Sequence, residues 1–396
     1  MDKIDELLEK GVDNIIPSKE DLEKVLRSGK KLRVYQGFDP TGEKLHIGHM
    51  IGLRKLRQWQ ALGHEVIFLI GDFTGRIGDP SGKDETRPHL TKEVVEENAK
   101  EYKQQAGKIL DFDGKNPVKV MFNSEWSDKM SLQDFFDVAS KVTYQQIIER
   151  DLYQKRIQAK KDLSLIELLY PLMQGYDSVA MDVDVELGGR DQLFNMMMGR
   201  HLMQKMKSKN KFVMTTQLLV DAAGNKVGKT TGNAIVITDP PEQIFGAIMS
   251  FPDETIIQGL ECLTDIPMEE IESIQKEIKG GKNPIESKKR LAYEIVKQLN
   301  GEQGAQKAQE EFENVFQKGE KPEDVQTIQI SNLNQNIIDF LVENKLISSK
   351  SAAKRLLDQG AIEIDGQIVK DQEVELKSGQ IIRIGKKKFV RVEIES

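Results

Sequence analysis

Leu32-Arg33-Val34-Tyr35-Gln36-Gly37-Phe38-Asp39-Pro40-Thr41-Gly42, followed by Leu45-His46-Ile47-Gly48-His49, is the stretch on which the fold turns. Leu32 to Tyr35 reads as a strand. Gly37 to Gly42 is rich in turn formers, so the chain must bend there. Leu45, Ile51, Leu53, Leu56 and Trp59 then recur at helical spacing, and the helix stops near Gly63. A second strand follows at Glu65 to Ile70, with the short apolar run of a buried strand. Next come a Gly-rich loop, Gly71 to Gly82, a helix over about 91–110 and a third strand at Val118 to Phe122. Strand and helix alternate, which predicts an α/β domain with a doubly wound parallel sheet. Ligands of such sheets sit outside the carboxyl ends of the strands, where both polar loops fall.

Outward from this core the pattern changes. Residues 1–32 read as an amphipathic helical lead-in through Ile4, Leu7, Leu8, Leu22, Val25 and Leu26. Residues 131–175 read as helical, Val183 to Leu187 as a strand, and the Met-rich segment after Gly188-Gly189 as a helix. A polar loop spans Asp221 to Gly232, and 246–330 is mostly helical with a linker around Gly319 to Asn332. Residues 333–396 predict two short helices, then strands at Ala361–Ile364 and Gln380–Ile384 around an Asp365-Gly366 turn. The domains expected are 1–232, 233–332 and 333–396.

Composition excludes several classes. The chain has 396 residues, 38% of them hydrophobic and 31% charged, too apolar for a disordered chain and too polar for a membrane protein. No apolar run approaches the length that spans a bilayer, and the N-terminus lacks a signal-peptide pattern. The lone Cys262 excludes an intrachain disulfide and a Cys-cluster metal site. The address expected is the cytoplasm. The net charge of −7 would not ordinarily nominate a nucleic-acid binder. Residues 333–396, however, hold 11 Lys and Arg against 10 Asp and Glu, leaving −8 for the rest.

Four groups of residues look chemical. His46 and His49 lie three apart at a helix start, where free N–H groups favour phosphate. Gly48 between them would let a flat ligand approach the backbone. A pair of capping or surface histidines would give the same spacing. Lys226, Lys229 and Thr230 lie in a Gly-flanked loop suited to clamping a polyphosphate, though a loop of this kind is often merely solvated. It is not a Walker A loop, since Ala223 stands where that pattern needs glycine. Tyr170, Gln174 and Asp177 share one face of a helix. Gly188-Gly189-Arg190-Asp191-Gln192 follows a strand, and Asp191 could hold ribose hydroxyls.

Taken in order, these motifs resemble the bacterial tyrosyl-tRNA synthetases, a family of class I aminoacyl-tRNA synthetases. They are Tyr35 to Thr41, His46 to His49, Gly78-Asp79-Pro80-Ser81-Gly82, Tyr170 to Asp177, Gly188 to Gln192 and Lys226 to Thr230. The tail, with Ser349 to Leu356 and Gly360 to Gly366, resembles an S4-type RNA-binding domain. The resemblance covers nearly the whole chain.

It implies a Rossmann-like catalytic domain that joins L-tyrosine to ATP, releases pyrophosphate and passes the tyrosyl group to tRNA(Tyr). It assigns His46, His49, Lys226, Lys229, Thr230, Lys83 and Arg87 to the transition state. Thr41, Asp39, Gly48, Gly189 and Asp191 would serve ATP. Tyr35, Asp79, Tyr170, Gln174, Asp177 and Gln192 would serve tyrosine, with Tyr35 and Asp177 on the phenolic hydroxyl. The loop departs from the superfamily's Lys-Met-Ser-Lys-Ser form at Val227, Gly228 and Thr230, and Gln36 is a second variable point. ATP enters as substrate, with Mg2+ expected and no protein-bound metal. The helical domain and the tail would grip tRNA, and a homodimer is expected. The alternatives are a tryptophanyl-tRNA synthetase-like ligase and a non-catalytic RNA-binding derivative. A small nucleotidyltransferase with the same histidine motif would be shorter and lack the tail.

Overall fold

The computed structural model describes residues 1–81, 90–220, 234–316, 326–330, 334–344, 346–347, 349–385 and 388–394. The chain divides into two compact units, 1–309 and 310–396.

The first unit is built on a six-stranded sheet. Its strands are β1 (Val12–Ile16), β2 (Arg33–Phe38), β3 (Glu65–Ile70), β4 (Lys119–Phe122), β5 (Val185–Gly189) and β6 (Phe212–Thr216). Their order is β1-β6-β5-β2-β3-β4. The five from β6 to β4 are parallel, and β1 runs antiparallel along the edge of β6. β3 is buried after Glu65, as a central parallel strand covered on both faces must be. The chain moves from β2 to β3 and β4 on one side, and returns as β5 and β6 on the other. The gap between the ends of β2 and β5 is therefore the switch point at which such sheets bind ligands.

Three of the stretches read from the sequence take another form, and strands β6, Asn334–Asn336, Glu373–Glu375 and Lys388–Ile394 stand where none was expected. The N-terminal lead-in is not wholly helical: helices Lys3–Glu9 and Lys19–Arg27 flank β1. An edge strand of five residues gains its stability from pairing with β6, which its own sequence does not announce. The helix expected over 91–110 is two, Lys92–Ala99 and Tyr102–Ala106. Within the expected linker, residues 326–330 form a strand of the second unit.

Two helices shape the site from above the sheet. Helix Leu165–Met181 contains Pro171, which removes one backbone donor and frees the carbonyl of Glu167. The Tyr153 hydroxyl donates to that carbonyl at 2.9 Å, which repairs the gap. Helix Leu193–Lys207 crosses it at Gly175 and Gly199. A Cβ on Gly175 would lie 3.0 Å from the Gly199 nitrogen, so any larger residue would push the two helices apart.

The second unit holds a sheet of β7 (Gln326–Ile330), β9 (Ile362–Ile364), β10 (Gln367–Ile368), β12 (Ile381–Ile384) and β13 (Lys388–Ile394). A two-stranded ladder pairs β8 (Asn334–Asn336) with β11 (Glu373–Glu375). The main order is β10-β9-β12-β13-β7, antiparallel except for β13 with β7. Asp365 and Gly366 take φ of 50° and 84°, the left-handed pair that a tight β9–β10 hairpin requires. Helices Ile337–Glu343 and Lys350–Asp358 bury Phe340, Leu341, Ala353 and Leu357 in a common core with Ile362, Ile382, Val390 and Val392. Lys350, Lys354 and Arg355 are exposed. Among the described residues no helix is long and apolar enough to cross a membrane.

Candidate active site

A cavity of about 380 Å³ opens at the carboxyl ends of β2, β3 and β5. Tyr35, Asp39, Thr41, His46, Gly48, His49, Asp79, Tyr170, Gln174, Asp177, Gly189, Asp191 and Gln192 all line it. These thirteen positions come from five separate segments, and the fold brings them together. Lys83, Arg87, Lys226, Lys229 and Thr230 lie outside the described residues.

At one side stands the histidine pair. His46 caps the helix Ile47–Ala61, its Nδ1 accepting from the Gly48 N–H at 3.1 Å. His49 Nδ1 accepts from the His46 N–H at 3.1 Å. With Nδ1 used as acceptor, each neutral ring carries its proton on Nε2, which makes Nε2 a donor. The rings stack with centroids 3.8 Å apart. The capping reading thus holds on Nδ1, and the chemical reading would use Nε2. Gly48 has a nearer reason than ligand access: a Cβ there would lie 2.9 Å from His46 Cε1.

The segments flanking residues 221–233 reach this cavity, one of them bonding to the motif itself. Gln217, Leu218 and Leu219 line the cavity on one side. On the other, the Ile47 N–H donates to the Ile235 carbonyl at 2.9 Å, and the Ile237 N–H to the Leu45 carbonyl at 3.0 Å.

Carboxylates and amides line the middle. Asp39 accepts from the Thr74 hydroxyl and the Tyr170 hydroxyl, each at 2.7 Å. Tyr170 uses its one proton in the hydrogen bond to Asp39, so its oxygen offers lone pairs to a ligand. Gln192 Nε2 donates to Asp79 at 2.7 Å. Gln174 Nε2 donates to Glu186 at 3.3 Å, which fixes the amide. Its Oε1 is buried with no hydrogen-bond partner among the described residues. Asp79, Gln174 Oε1 and Tyr170 together are acceptors, a set that suits an ammonium group.

The floor is buried and polar. Asp177 is 2% exposed, and its oxygens accept from Trp126 Nε1 at 2.9 Å and Asn123 Nδ2 at 3.1 Å. Burial pushes its carboxyl well above the usual range, opposed by those two donors. The Tyr35 hydroxyl lies 2.9 Å from Ser178 Oγ. Burial raises both Tyr35 and Tyr170, and neighbouring carboxylates add to this, so both phenols stay protonated. Ser178, Glu186, Asn123, Trp126 and Lys211 were not singled out by the sequence. Only the i+1 position of Ser178 beside Asp177 and the strand position of Glu186 hint at them.

A family model described as tRNA synthetases class I (W and Y) matches residues 27–317. A second, described as the tyrosine–tRNA ligase SYY-like C-terminal domain, matches 316–392. The chain is 47% identical to the tyrosine–tRNA ligase of Thermotoga maritima, covering 98% of this chain and 96% of that one. It is 44% identical to the tyrosine–tRNA ligase of Dehalococcoides mccartyi strain CBDB1, covering 98% of each. Its fold is shared with the Aspergillus nidulans mitochondrial tyrosyl-tRNA synthetase, at a TM-score of 0.67 and 22% identity, over 79% of this chain and 94% of that one. It is also shared with the Archaeoglobus fulgidus tyrosyl-tRNA synthetase, solved with L-tyrosine, at 0.60 and 22%, over 78% of this chain and 100% of that one.

Proposed function

The chain belongs to the class I tyrosyl-tRNA synthetases, and from that premise we propose how its cavity joins L-tyrosine to ATP and hands the product to tRNA(Tyr). The tyrosine side chain enters first, its hydroxyl reaching Tyr35 and Asp177 at the floor. The α-ammonium sits among Asp79, Gln174 and Tyr170, with Gln192 holding Asp79. This leaves the carboxylate facing the nucleotide. The adenosine lies over Gly48 and Gly189, with Asp191 on the ribose and Asp39 and Thr41 toward the phosphates. The carboxylate oxygen attacks the α-phosphorus, the bond to the bridging oxygen breaks, and pyrophosphate leaves. No protein nucleophile is involved, so catalysis is positioning and charge stabilisation.

His46 and His49 aim Nε2 donors at the phosphates. Lys226, Lys229, Thr230, Lys83 and Arg87 neutralise the departing pyrophosphate. One flank of 221–233 hydrogen-bonds the histidine motif and the other lines the same cavity, which supports the roles of Lys226, Lys229 and Thr230. Magnesium enters with ATP as part of the substrate. Among the described residues no group of three or more His, Cys, Asp or Glu side chains is placed to hold a metal ion. In the second step a ribose hydroxyl at the tRNA 3′ end attacks the tyrosyl carbonyl and AMP leaves. The helices from Pro241 to Phe316 and the tail beyond them hold the tRNA. Exposed Lys350, Lys354 and Arg355 on one tail helix support that role. A homodimer is supported by the exposed apolar Leu132, Phe136, Tyr144 and Leu165. The compartment proposed is the cytoplasm.

The observation that carries this reading is the convergence in one cavity of a buried polar floor, an acceptor set and a histidine pair at a helix start. ATP–pyrophosphate exchange driven by a panel of amino acids tests it. Tyrosine alone should drive exchange. Exchange driven by tryptophan, or by none, would refute it.

A further inference from the structure

Beneath the phenol end of the cavity lies an ion pair to whose cation the reaction assigns no role. Lys211, just before β6, is 0% exposed, and its ammonium pairs with Glu186 of β5, 2% exposed. Taking two charges out of water is costly, and an apolar pair of similar volume is often at least as stable. The pair is therefore poorly explained by stability alone. The Lys211 ammonium also donates to Ser178 Oγ at 2.8 Å, and Ser178 Oγ lies 2.9 Å from the Tyr35 hydroxyl.

We propose that Lys211 is a positioning residue for tyrosine recognition: its ammonium sets the direction of a hydrogen-bond chain from Lys211 through Ser178 to Tyr35, so that Tyr35 points its hydroxyl proton at the substrate. The inference rests on the placement of the substrate phenol between Tyr35 and Asp177.

The direction follows from donor counting. An ammonium has donors and no acceptor, so Ser178 Oγ must accept from it. Ser178 then has one proton and two acceptors in reach, the Tyr35 oxygen at 2.9 Å and Glu186 Oε2 at 3.3 Å. Glu186 Oε2 already accepts from Lys211, and the Tyr35 contact is shorter. The proton goes to Tyr35. Glu186 also reaches the Tyr35 hydroxyl as an acceptor, but it already accepts from Lys211 and Gln174, so Tyr35's own proton turns into the cavity. Asp177 offers an acceptor there. The floor thus presents one donor and one acceptor, which only a group that both accepts and donates can satisfy. A phenol does so, and phenylalanine satisfies neither. With the chain reversed, Tyr35 and Asp177 would both present acceptors to a single hydroxyl proton.

The test is exchange kinetics with tyrosine and phenylalanine in Ser178→Ala, Tyr35→Phe and their combination. Ser178→Ala should raise the tyrosine KM about tenfold, the size of one lost buried hydrogen bond. The kcat, the ATP KM and phenylalanine-driven exchange should stay near wild type. Tyr35→Phe added to Ser178→Ala should cost little more. The pair Lys211→Met with Glu186→Gln, which removes both charges, should reproduce the tyrosine KM of Ser178→Ala. A wild-type tyrosine-to-phenylalanine ratio in Ser178→Ala, equal losses for both amino acids, or multiplying effects of Ser178→Ala and Tyr35→Phe would overturn the proposal. So would a wild-type tyrosine KM in the folded charge-free variant. If that variant fails to fold, the Ser178–Tyr35 cycle decides. If Tyr35→Phe and Asp177→Asn also leave tyrosine exchange untouched, it is the placement of the phenol that fails. If they lower it and Ser178→Ala does not, only this inference fails.

Discussion

The rings of His46 and His49 stack with centroids 3.8 Å apart and 22° between their planes, each holding a backbone N–H on Nδ1. One sequence feature thus builds the helix cap and fixes the direction of two Nε2 donors. Replacing either histidine with alanine should lower the rate of tyrosyl-adenylate formation about a hundredfold or more, the scale of one lost transition-state donor. Single-turnover adenylate formation measures it, with tyrosine affinity expected to change little.

Gly48 provides a test at one atom's resolution. The Cβ of Gly48→Ala would fall 2.9 Å from His46 Cε1, so the ring must move. The variant should keep wild-type circular dichroism and lose adenylate rate, approaching the His46→Ala variant. Wild-type kinetics would show that the ring position is unimportant.

Lys211→Met alone leaves Glu186 charged and buried without its cation. Loss of one partner of such a pair costs about 3–5 kcal/mol. Urea unfolding should show that loss, and the added Glu186→Gln change should recover most of it.

Lys55, buried on the histidine helix, has its ammonium pKa pushed down to about 7, chiefly by burial. The unfolded chain binds this proton up to the ordinary lysine value of 10.5, so stability falls as pH drops toward about 7 and is level below it. The difference in unfolding free energy between wild type and Lys55→Gln should therefore grow with pH from about 7 to about 8.5, below the titration of Cys262 in the unfolded chain. Unfolding at several pH values measures it, and a flat difference would contradict the shift.

Much of the site was legible because its residues are local. Tyr35 through His49 lie on one strand, turn and helix, and Tyr170, Gln174 and Asp177 share one helical face. The rule that parallel sheets bind ligands at their strand ends then places these segments together. What could not be read depends on partners distant in sequence. Lys211 meets Glu186 across neighbouring strands, and Asp177 meets Asn123 and Trp126 over a separation of more than fifty residues. β1 reads as part of a helical lead-in and becomes a strand only because β6 offers an edge. β7 reads as linker and becomes a strand only beside β13.

Because β7 completes the second unit's sheet, a truncation at 333 would strand it, and removal of 317–396 is the cleaner cut. That variant should retain tyrosine-driven exchange and lose most tRNA charging. Equal survival of both activities would remove the tail from RNA binding.

The placement of the substrate phenol is the centre of the account, and Asp177→Ala tests it most directly. Tyrosine-driven ATP–pyrophosphate exchange in this variant should be abolished, or its tyrosine KM greatly raised. Exchange with wild-type kinetics would contradict the account.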